Sequence, residues 1–488
     1  MKKILCKIMG LAFFPAALFF TACPPPPVER FEFPASAQRW YYVSSAGSDA
    51  NSGLTEDAPF KTFAHAAQAA AMDPKSLRVF ILDMLDAASE GTLNSSETFL
   101  LDGALVRREI TISGRKTAGF SGSGTEEIVL RVKNEGRVII QNIALQDGKT
   151  GLFLEGASSA RMESGNINSN WRGAFIRSGS SFVMTGGVIE NNRIPQSNFG
   201  ATFGGSGGVC IVDVGSSFTM SGTAHIYGNA AHFSEATAVR ALEYTHFVMA
   251  GNAVISGNFT PGLSPGDCCV GISPWASFSM SGNALIANNH HVDYGVKLGQ
   301  SSVFAMEGNA KITATTEGGG VYMDTGADAR MAGSSSITNN RNNGVSGYAG
   351  NPQDRFFTLG GSARIADNGK AGVSGYGIVL LMTDDAVISG NSQSGIRLVD
   401  GSLVINANAL VTRNRTEADG GGAALSGTPF TLTGNAVISH NYARLRGGGV
   451  SARLSEVKTS PAEQPFTLSG NAVICDNTSG ENGGGVYL

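Results

Sequence analysis

The twelve residues Phe247-Val-Met-Ala-Gly-Asn-Ala-Val-Ile-Ser-Gly-Asn258 form a phrase that recurs along most of the chain. Residues 278–289, 430–441 and 466–477 match it closely, and more divergent copies begin at Phe182, Phe218, Phe304, Ala329, Phe357, Leu380 and Leu403. Successive copies start between 23 residues (380 to 403) and 36 residues (182 to 218) apart. Between many copies lies a second phrase, such as Gly447-Gly-Gly-Val450. Repeats of this length indicate one structural unit stacked many times.

The positions that accept charge show which way the side chains of the phrase point. With Phe247 as position 0, positions 0, 2, 6 and 8 are almost always apolar, whereas position 7 includes Lys311 and Arg364. A position that accepts lysine and arginine faces water, so its two neighbours face the interior, because side chains alternate along a strand. The phrase therefore predicts two short strands joined by a bend at Gly-Asn, where glycine permits a positive φ.

The spacing of the apolar residues and the residue types at the turns of the repeat indicate the fold class. Apolar residues two positions apart, with Gly, Asn, Ser and Thr at the joints, do not fit a helical repeat. Propeller blades are longer, at about 40 residues. We therefore predict an all-β fold, a single-stranded right-handed parallel β-helix (a solenoid), over residues 111–488. Equivalent residues of successive coils should stack in columns.

Asparagine ends nearly every copy of the phrase, and stacking of the coils would bring these residues into one column at a corner. Asparagine side chains hydrogen-bond turn backbone and can bond to one another in ladders. We predict a structural ladder rather than a ligand site, because turn asparagines explain the pattern without a ligand. Its members are Asn192, Asn229, Asn258, Asn289, Asn340, Asn368, Asn391, Asn414, Asn441 and Asn477.

Residues 39–110 are predicted to contain an N-terminal cap and the first coils. Residues 40–53 are predicted to form a strand followed by a turn, and a short amphipathic helix is predicted at residues 63–72, with Thr62 as its N-cap. Such a helix would cover the apolar end of the first coil. Its apolar face would consist of Phe63, Ala66, Ala67 and Ala70.

This opening, together with the repeats, resembles the pectate-lyase-like β-helix superfamily over about residues 40–488. The glycine-rich and Gly-Asn phrases also resemble the repeats of bacterial surface β-helix adhesins. The resemblance implies the fold, but it says little about activity, because the superfamily contains lyases, hydrolases, epimerases and non-catalytic surface proteins.

Residues 1–22 have the features of a bacterial lipoprotein signal peptide. A basic segment precedes an apolar one, and Phe20-Thr-Ala-Cys23 resembles a lipobox in which Phe replaces the usual Leu. The resemblance implies cleavage before Cys23 and attachment of acyl chains to it, which would anchor the protein to a membrane. Residues 23–38 would form a proline-rich tether. We expect a lipid-anchored protein of the cell outer membrane or cell surface.

The sequence contains no convincing catalytic or metal-binding constellation. Lyases of the resembled superfamily use a carboxylate cluster with a basic residue, and its hydrolases use three aspartates near Gly-His-Gly, which is absent from this sequence. Asp384-Asp385 falls at a corner, where a polar turn explains it. Asp49-Ala-Asn51-Ser-Gly53 and His290-His291 lack the further ligands that a metal site needs. We predict no catalytic residue, metal or cofactor.

Composition and exposed residue types restrict the partners. The net charge is only −4 and no basic patch occurs, so nucleic acid is not an expected partner. Four aromatic residues are candidate stacking platforms for sugars, with packing against the body of the solenoid as the alternative reading: Trp171, Tyr227, Tyr244 and Trp275.

The leading functional hypothesis is a surface or periplasm-facing lipoprotein that uses a rigid β-helix for non-catalytic adhesion or recognition. Its partner would be a glycan or a host or cell-surface protein, in addition to the membrane. A polysaccharide lyase or glycoside hydrolase is the first alternative. A structural spacer of a larger surface protein is the second, and it fits an expected truncation, because the chain stops inside a strand phrase at Leu488.

Overall fold

The computed structural model describes residues 39–73, 76–86, 97–115, 117–122, 128–194, 206–231, 236–261, 266–347, 355–453 and 466–488. These ranges belong to one compact unit, Arg39–Leu488. The predicted signal peptide, Cys23 and the tether lie outside the described residues. No helix within those residues is long and apolar enough to cross a bilayer.

Three long parallel sheets dominate the fold, because each coil of the chain contributes one strand to each sheet in turn. Sheet 1 consists, among the described residues, of Arg39–Val43, Ser76–Ile81, Glu109–Gly114, Arg137–Gln141, Ser159–Met162, Ser181–Met184, Ser217–Met220, His246–Met249, Ser277–Met280, Val303–Met306, Asp328–Met331, Arg355–Leu359, Ile378–Met382, Ser402–Ile405, Phe430–Leu432 and Phe466–Leu468. Sheet 2 consists of Met84–Asp86, Gly119–Ser121, Ile143–Gln146, Gly165–Asn168, Val188–Glu190, His225–Tyr227, Val254–Ser256, Leu285–Ala287, Lys311–Thr313, Ser336–Thr338, Arg364–Ala366, Val387–Ser389, Leu410–Thr412, Val437–Ser439 and Val473–Cys475.

The remaining strands form one more long sheet and one small sheet. Sheet 3 consists of Glu97–Asp102, Ile128–Lys133, Thr150–Leu154, Arg172–Ile176, Val209–Ile211, Val239–Ala241, Cys268–Ile272, Tyr294–Leu298, Gly319–Met323, Val345–Gly347, Val373–Tyr376, Ile396–Val399, Ala423–Ser426, Val450–Arg453 and Val486–Tyr487. Sheet 4 consists of Arg415–Thr416, Tyr442–Ala443 and Thr478–Ser479.

The strand register confirms that the copies of the phrase stack. From Phe182 to Phe466, the first residue of each copy pairs with the first residue of the next. The rings of Phe218 and Phe247 consequently lie parallel, with centroids 5.4 Å apart. The fold is therefore a parallel β-helix, as predicted, while right-handed winding stays a prediction that agrees with the general rule for crossover connections.

The direction of the side chains also follows the predicted alternation. Lys311 and Arg364 are exposed, whereas the next residues, Ile312 and Ile365, are fully buried. The isoleucines of successive coils pair in register and pack with the phenylalanine column in one continuous core. Burial of these columns is the main favourable contribution to folding.

Helix α1 (Phe63–Met72) covers the first coils, as the sequence predicts. The hydroxyl of Thr62 accepts a hydrogen bond from the His65 N–H at 3.3 Å and caps the helix N-terminus. The Phe63 ring packs edge-on against Phe99 of sheet 3 and Phe120 of sheet 2, with centroids 6.3 Å and 5.0 Å away. The buried face consists of the four predicted residues, Phe63, Ala66, Ala67 and Ala70.

The glycine-rich phrase reflects close packing between sheet 3 and the corner before it. A Cβ atom on Gly422 would lie 2.7 Å from Ile438 Cγ2 and 3.0 Å from Asn441 Nδ2. The same crowding recurs in other coils, for example at Gly344 and Gly372. A side chain at this position would collide with the isoleucine and asparagine columns, so only glycine fits there.

Candidate functional site

The asparagines that end the phrases lie in an interior column at the corner between sheets 2 and 3. Asn229 shows the pattern, because its backbone N–H and its Nδ2 both donate to Asn258 Oδ1 at 3.0 Å. Its Nδ2 also donates to the Ile189 carbonyl at 2.9 Å. The interior asparagine column contains Asn170, Asn192, Asn229, Asn258, Asn289, Asn340, Asn368, Asn391, Asn414, Asn441 and Asn477.

The amide groups of this column bond to the protein itself. All members except the half-buried Asn477 are at most 2% exposed, so they are withdrawn from solvent ligands. Asn170 precedes the first recognisable copy of the phrase, which is why the sequence does not reveal it. Thr315 occupies the position between Asn289 and Asn340, where it keeps the backbone bond to Asn340 Oδ1 at 3.2 Å but supplies no amide.

The candidate aspartates have structural partners in the described residues. Asp49 Oδ1 accepts hydrogen bonds from the N–H groups of Lys61 and Thr62, at 3.0 Å and 2.9 Å, and so joins the first turn to helix α1. Asp384 Oδ2 accepts from the Gly361 N–H at 2.8 Å, and Asp385 Oδ1 accepts from Asn408 Nδ2 at 3.0 Å. The three aspartates therefore act as hydrogen-bond acceptors that hold turns of the chain together.

His290 and His291 lie on an exposed turn beside Glu317. The His291 backbone N–H donates to Glu317, and the Thr316 hydroxyl donates to the same carboxylate oxygen at 2.9 Å. Burial raises the pKa of Glu317, but the hydrogen bonds from His291 and Thr316, together with the charges of His291 and His290, hold that pKa below its usual value. Within the described ranges, no three His, Cys, Asp or Glu residues are arranged to hold a metal ion.

Two of the four candidate aromatic residues pack against the solenoid. Trp171 is half-buried, and the Lys149 ammonium lies 5.5 Å from its ring centroid. Tyr227 is 45% exposed, yet its ring covers Gly257, where an added Cβ would lie 2.6 Å from it. Both rings therefore lie against the body of the solenoid rather than against another exposed aromatic ring.

The other two aromatic residues form an exposed pair at the corner between sheets 3 and 1. Tyr244 and Trp275 are 49% and 50% exposed, and their rings stack with centroids 5.5 Å apart and planes 7° from parallel. Each follows a strand of sheet 3 and precedes a strand of sheet 1, one coil apart. The pair projects from the wall of the solenoid instead of filling its core.

Small residues flank the aromatic pair along the same corner. Gly215 precedes Tyr244, and Ser301 follows Trp275, as the backbone bonds between these turns show. An added Cβ on Gly179 would have no atom within 4 Å, and one on Gly215 would only reach Gly179 Cα at 4.0 Å. We call this row the aromatic ledge; it consists of Gly179, Gly215, Tyr244, Trp275, Ser301 and Gly326.

The backbone of the ledge is left-handed at every position, with φ of 58° at Tyr244 and 59° at Trp275. This conformation costs a bulky residue about 1–2 kcal/mol, whereas glycine adopts it without that cost. The two aromatic residues therefore occupy strained positions at which the neighbouring coils have small residues. Non-glycine residues at positive φ also occur at other turns of the described coils, for example Asp213 and Arg413, so this conformation is not confined to the ledge.

Two pairs of polar side chains lie near the ledge. His246 Nδ1 lies 2.8 Å from the Ser277 hydroxyl, two residues beyond the aromatic pair on each chain segment. Arg177 Nε donates to Asp213 Oδ2 at 3.3 Å beside the glycine part of the ledge. The ledge thus combines apolar ring faces with nearby polar side chains.

A cleft lies nearer the C-terminal end of the solenoid, between sheet 3 and the corner that follows sheet 2. It has a volume of about 640 Å³ and is lined in part by Arg397, Ser426 and Arg453 of sheet 3 and by Glu417 and Asp419 of the corner. We call it the sheet 3 cleft. Sequence analysis missed it because its residues come from three coils and match no phrase.

No protein-family model matches the chain, and no curated protein sequence matches it. Among solved structures, the chain is similar to the GH136 lacto-N-biosidase from Eubacterium ramulus, at 12% identity and a TM-score of 0.20, over 93% of this chain and 68% of that one. It is also similar to the A-module of the Azotobacter vinelandii mannuronan C-5 epimerase AlgE6, at 12% identity and a TM-score of 0.22, over 87% and 93% of the two chains. Similarity at this level does not identify a shared site or activity.

Proposed function

We propose that this protein is a non-catalytic recognition protein that binds a glycan on the surface of its β-helix, with the aromatic ledge as the contact. The observation that carries the proposal is the exposed, parallel pair of Tyr244 and Trp275 at strained turn positions. Tyrosine and tryptophan combine an apolar ring with a polar group, and both are enriched at binding surfaces.

The geometry of the ledge suits a pyranose ring. Tyr244 and Trp275 stack on each other through one ring face each. The other face of Tyr244 is on the side of Gly215, and the other face of Trp275 is on the side of Ser301. A sugar ring presents C–H groups on its apolar face and hydroxyls at its edge. The former would lie on the aromatic faces, and the latter would reach His246 and Ser277.

A rigid scaffold supports this role. The turns of the ledge are held by the paired strands on either side, so little conformational entropy would be lost on binding. The proposed location is the outer membrane or cell surface, with Cys23 as the lipidated residue, residues 1–22 removed and residues 23–38 as the tether. The mass of the mature protein extracted from membranes tests that part, since it should begin at an acylated Cys23.

Binding of purified protein to a glycan array, followed by titration calorimetry with the strongest ligand, tests the function. Trp275→Ala should weaken binding at least tenfold, because an aromatic face worth about 1.5 kcal/mol is removed. Tyr227→Ala is the matched control, an exposed aromatic residue outside the ledge, and should leave affinity unchanged. Equal binding by Trp275→Ala and the unaltered protein would refute the proposal. Release of new reducing ends or unsaturated products would instead support the enzymatic alternative.

A further inference from the structure

We propose that the sheet 3 cleft is a second binding site, which takes the oxyanion group, carboxylate or sulfate ester, of an acidic glycan. It is separate from the aromatic ledge, because four strands of sheet 3 lie between Cys268–Ile272, beside Trp275, and Ile396–Val399, which carries Arg397. Three features of the cleft carry the inference: its shape, its one unpaired guanidinium and its unused hydroxyls.

The shape of the cleft follows from the strand register. Arg397 pairs with Ala424, and Ala424 pairs with Ser451, so these three outward residues lie in one column. The small side chain of Ala424 leaves a depression between the two polar residues. Residues 416–419 form the adjoining wall. A depression with a polar floor is the form expected for a ligand site rather than for a flat solvated face.

The charges around the cleft leave one guanidinium available. Arg453 pairs with Asp419 at 2.6 Å, and Glu417 pairs with Arg415 and Arg444 at 3.6 Å each. Within the described part of the chain, Arg397 is the cleft-lining cation without an ion-pair partner. Its neighbours Ile396 and Leu398 are fully buried, which fixes the backbone beneath it.

An arginine held in this way favours an oxyanion over a neutral group. Its guanidinium presents a planar fork of N–H donors that matches two oxygens of one carboxylate or sulfate. The surrounding carboxylates are already occupied by other arginines, so they oppose an incoming anion less than free carboxylates would. The cleft therefore keeps one positively charged group, the Arg397 guanidinium, that can donate hydrogen bonds to an anion.

Serine hydroxyls supply the remaining contacts. Ser394 and Ser451 line the cleft and are each only 3% exposed, yet their hydroxyls make no hydrogen bond in the described residues. Neither hydroxyl oxygen is fully buried, so each is open through the cleft to a hydrogen bond with water or with a ligand group. Sugar hydroxyls next to an anionic substituent would satisfy both groups.

The test is titration calorimetry with three oligosaccharides of equal length: one of uronic acids, one sulfated without uronic acid, and one neutral. We expect at least one anionic probe to bind, with an affinity that falls as salt is raised. Arg397→Gln should lower that affinity at least tenfold, while Lys311→Gln, which removes an exposed cation on sheet 2, should not. Melting temperatures of the variants establish that each is folded.

The outcomes separate the two sites. Binding of the uronic acid probe alone assigns a carboxylate, and binding of the sulfated probe alone assigns a sulfate ester. The proposal is overturned if neither anionic probe binds, if Arg397→Gln binds as the unaltered protein does, or if Lys311→Gln weakens binding equally. Trp275→Ala should leave binding of the anionic probe at the cleft intact, so failure of one site is distinguishable from failure of the other.

Discussion

Two asparagine columns follow the same coils, one inside the corner between sheets 2 and 3 and one outside the corner between sheets 1 and 2. In the exterior asparagine column, Asn283 Nδ2 donates to Asn252 Oδ1 at 2.9 Å and Asn309 Nδ2 donates to Asn283 Oδ1 at 3.1 Å. The pattern resumes in later coils, where Asn435 donates to Asn408 and Asn471 donates to Asn435. The side-chain bonds resemble those of the interior column in length.

The two columns differ in how far their side-chain hydrogen bonds are exposed to water. The exterior amides are exposed and exchange protein partners for water with little change in free energy. The interior amides are buried and also bind backbone N–H and C=O groups of the corner, which have no access to water. Similar hydrogen-bond geometry therefore implies very different contributions to stability, because burial sets the penalty for a missing partner.

The largest expected effect is that of Asn258→Ala in the interior column. The substitution removes the acceptor of the Asn229 N–H and Nδ2 and a donor to the Ile226 carbonyl. Because these groups are buried, we expect the free energy of unfolding to fall by about 3 kcal/mol. The midpoint of urea unfolding measures the change, and an unchanged midpoint would show that the interior column does not stabilise the fold.

A smaller effect of opposite sign is expected for Thr315→Asn, which would complete the interior column. Among the described residues, Asn289 Nδ2 donates only to the Ile255 carbonyl, at a long 3.4 Å. An asparagine at position 315 would supply the missing Oδ1 and should raise the free energy of unfolding by about 1 kcal/mol. Thermal unfolding checks this, and a lower melting temperature would mean that the threonine is needed for packing.

The smallest expected effect is that of Asn283→Ala, the same chemical change made in the exterior column. It removes two exposed side-chain bonds whose partners, Asn252 and Asn309, can turn to water. We expect a change of less than about 0.5 kcal/mol in the same urea experiment. A loss as large as that of Asn258→Ala would contradict the view that burial separates the two columns.

Much of the fold was predictable because it depends on local alternation repeated many times. The exposure of Lys311 and the N-cap at Thr62 follow from patterns within a few residues, and the stacking of Phe218 on Phe247 follows from the recurrence of the same phrase in the next coil. The candidate sites were only partly predictable. Tyr244 and Trp275 stand out as aromatic residues, but their stacking depends on the register of two coils. Arg397 carries no local signal at all, because its lack of a partner is a property of three neighbouring coils.

The sequence by itself determined the strand alternation, the order of the coils and the capping helix, because each depends on the polarity and backbone preferences of neighbouring residues. Only the tertiary structure decided which aromatic rings remain open and which arginine remains unpaired. The physical reason is that burial and pairing are set by residues about 23 to 36 positions away, whose approach depends on loop lengths and register rather than on local chemistry.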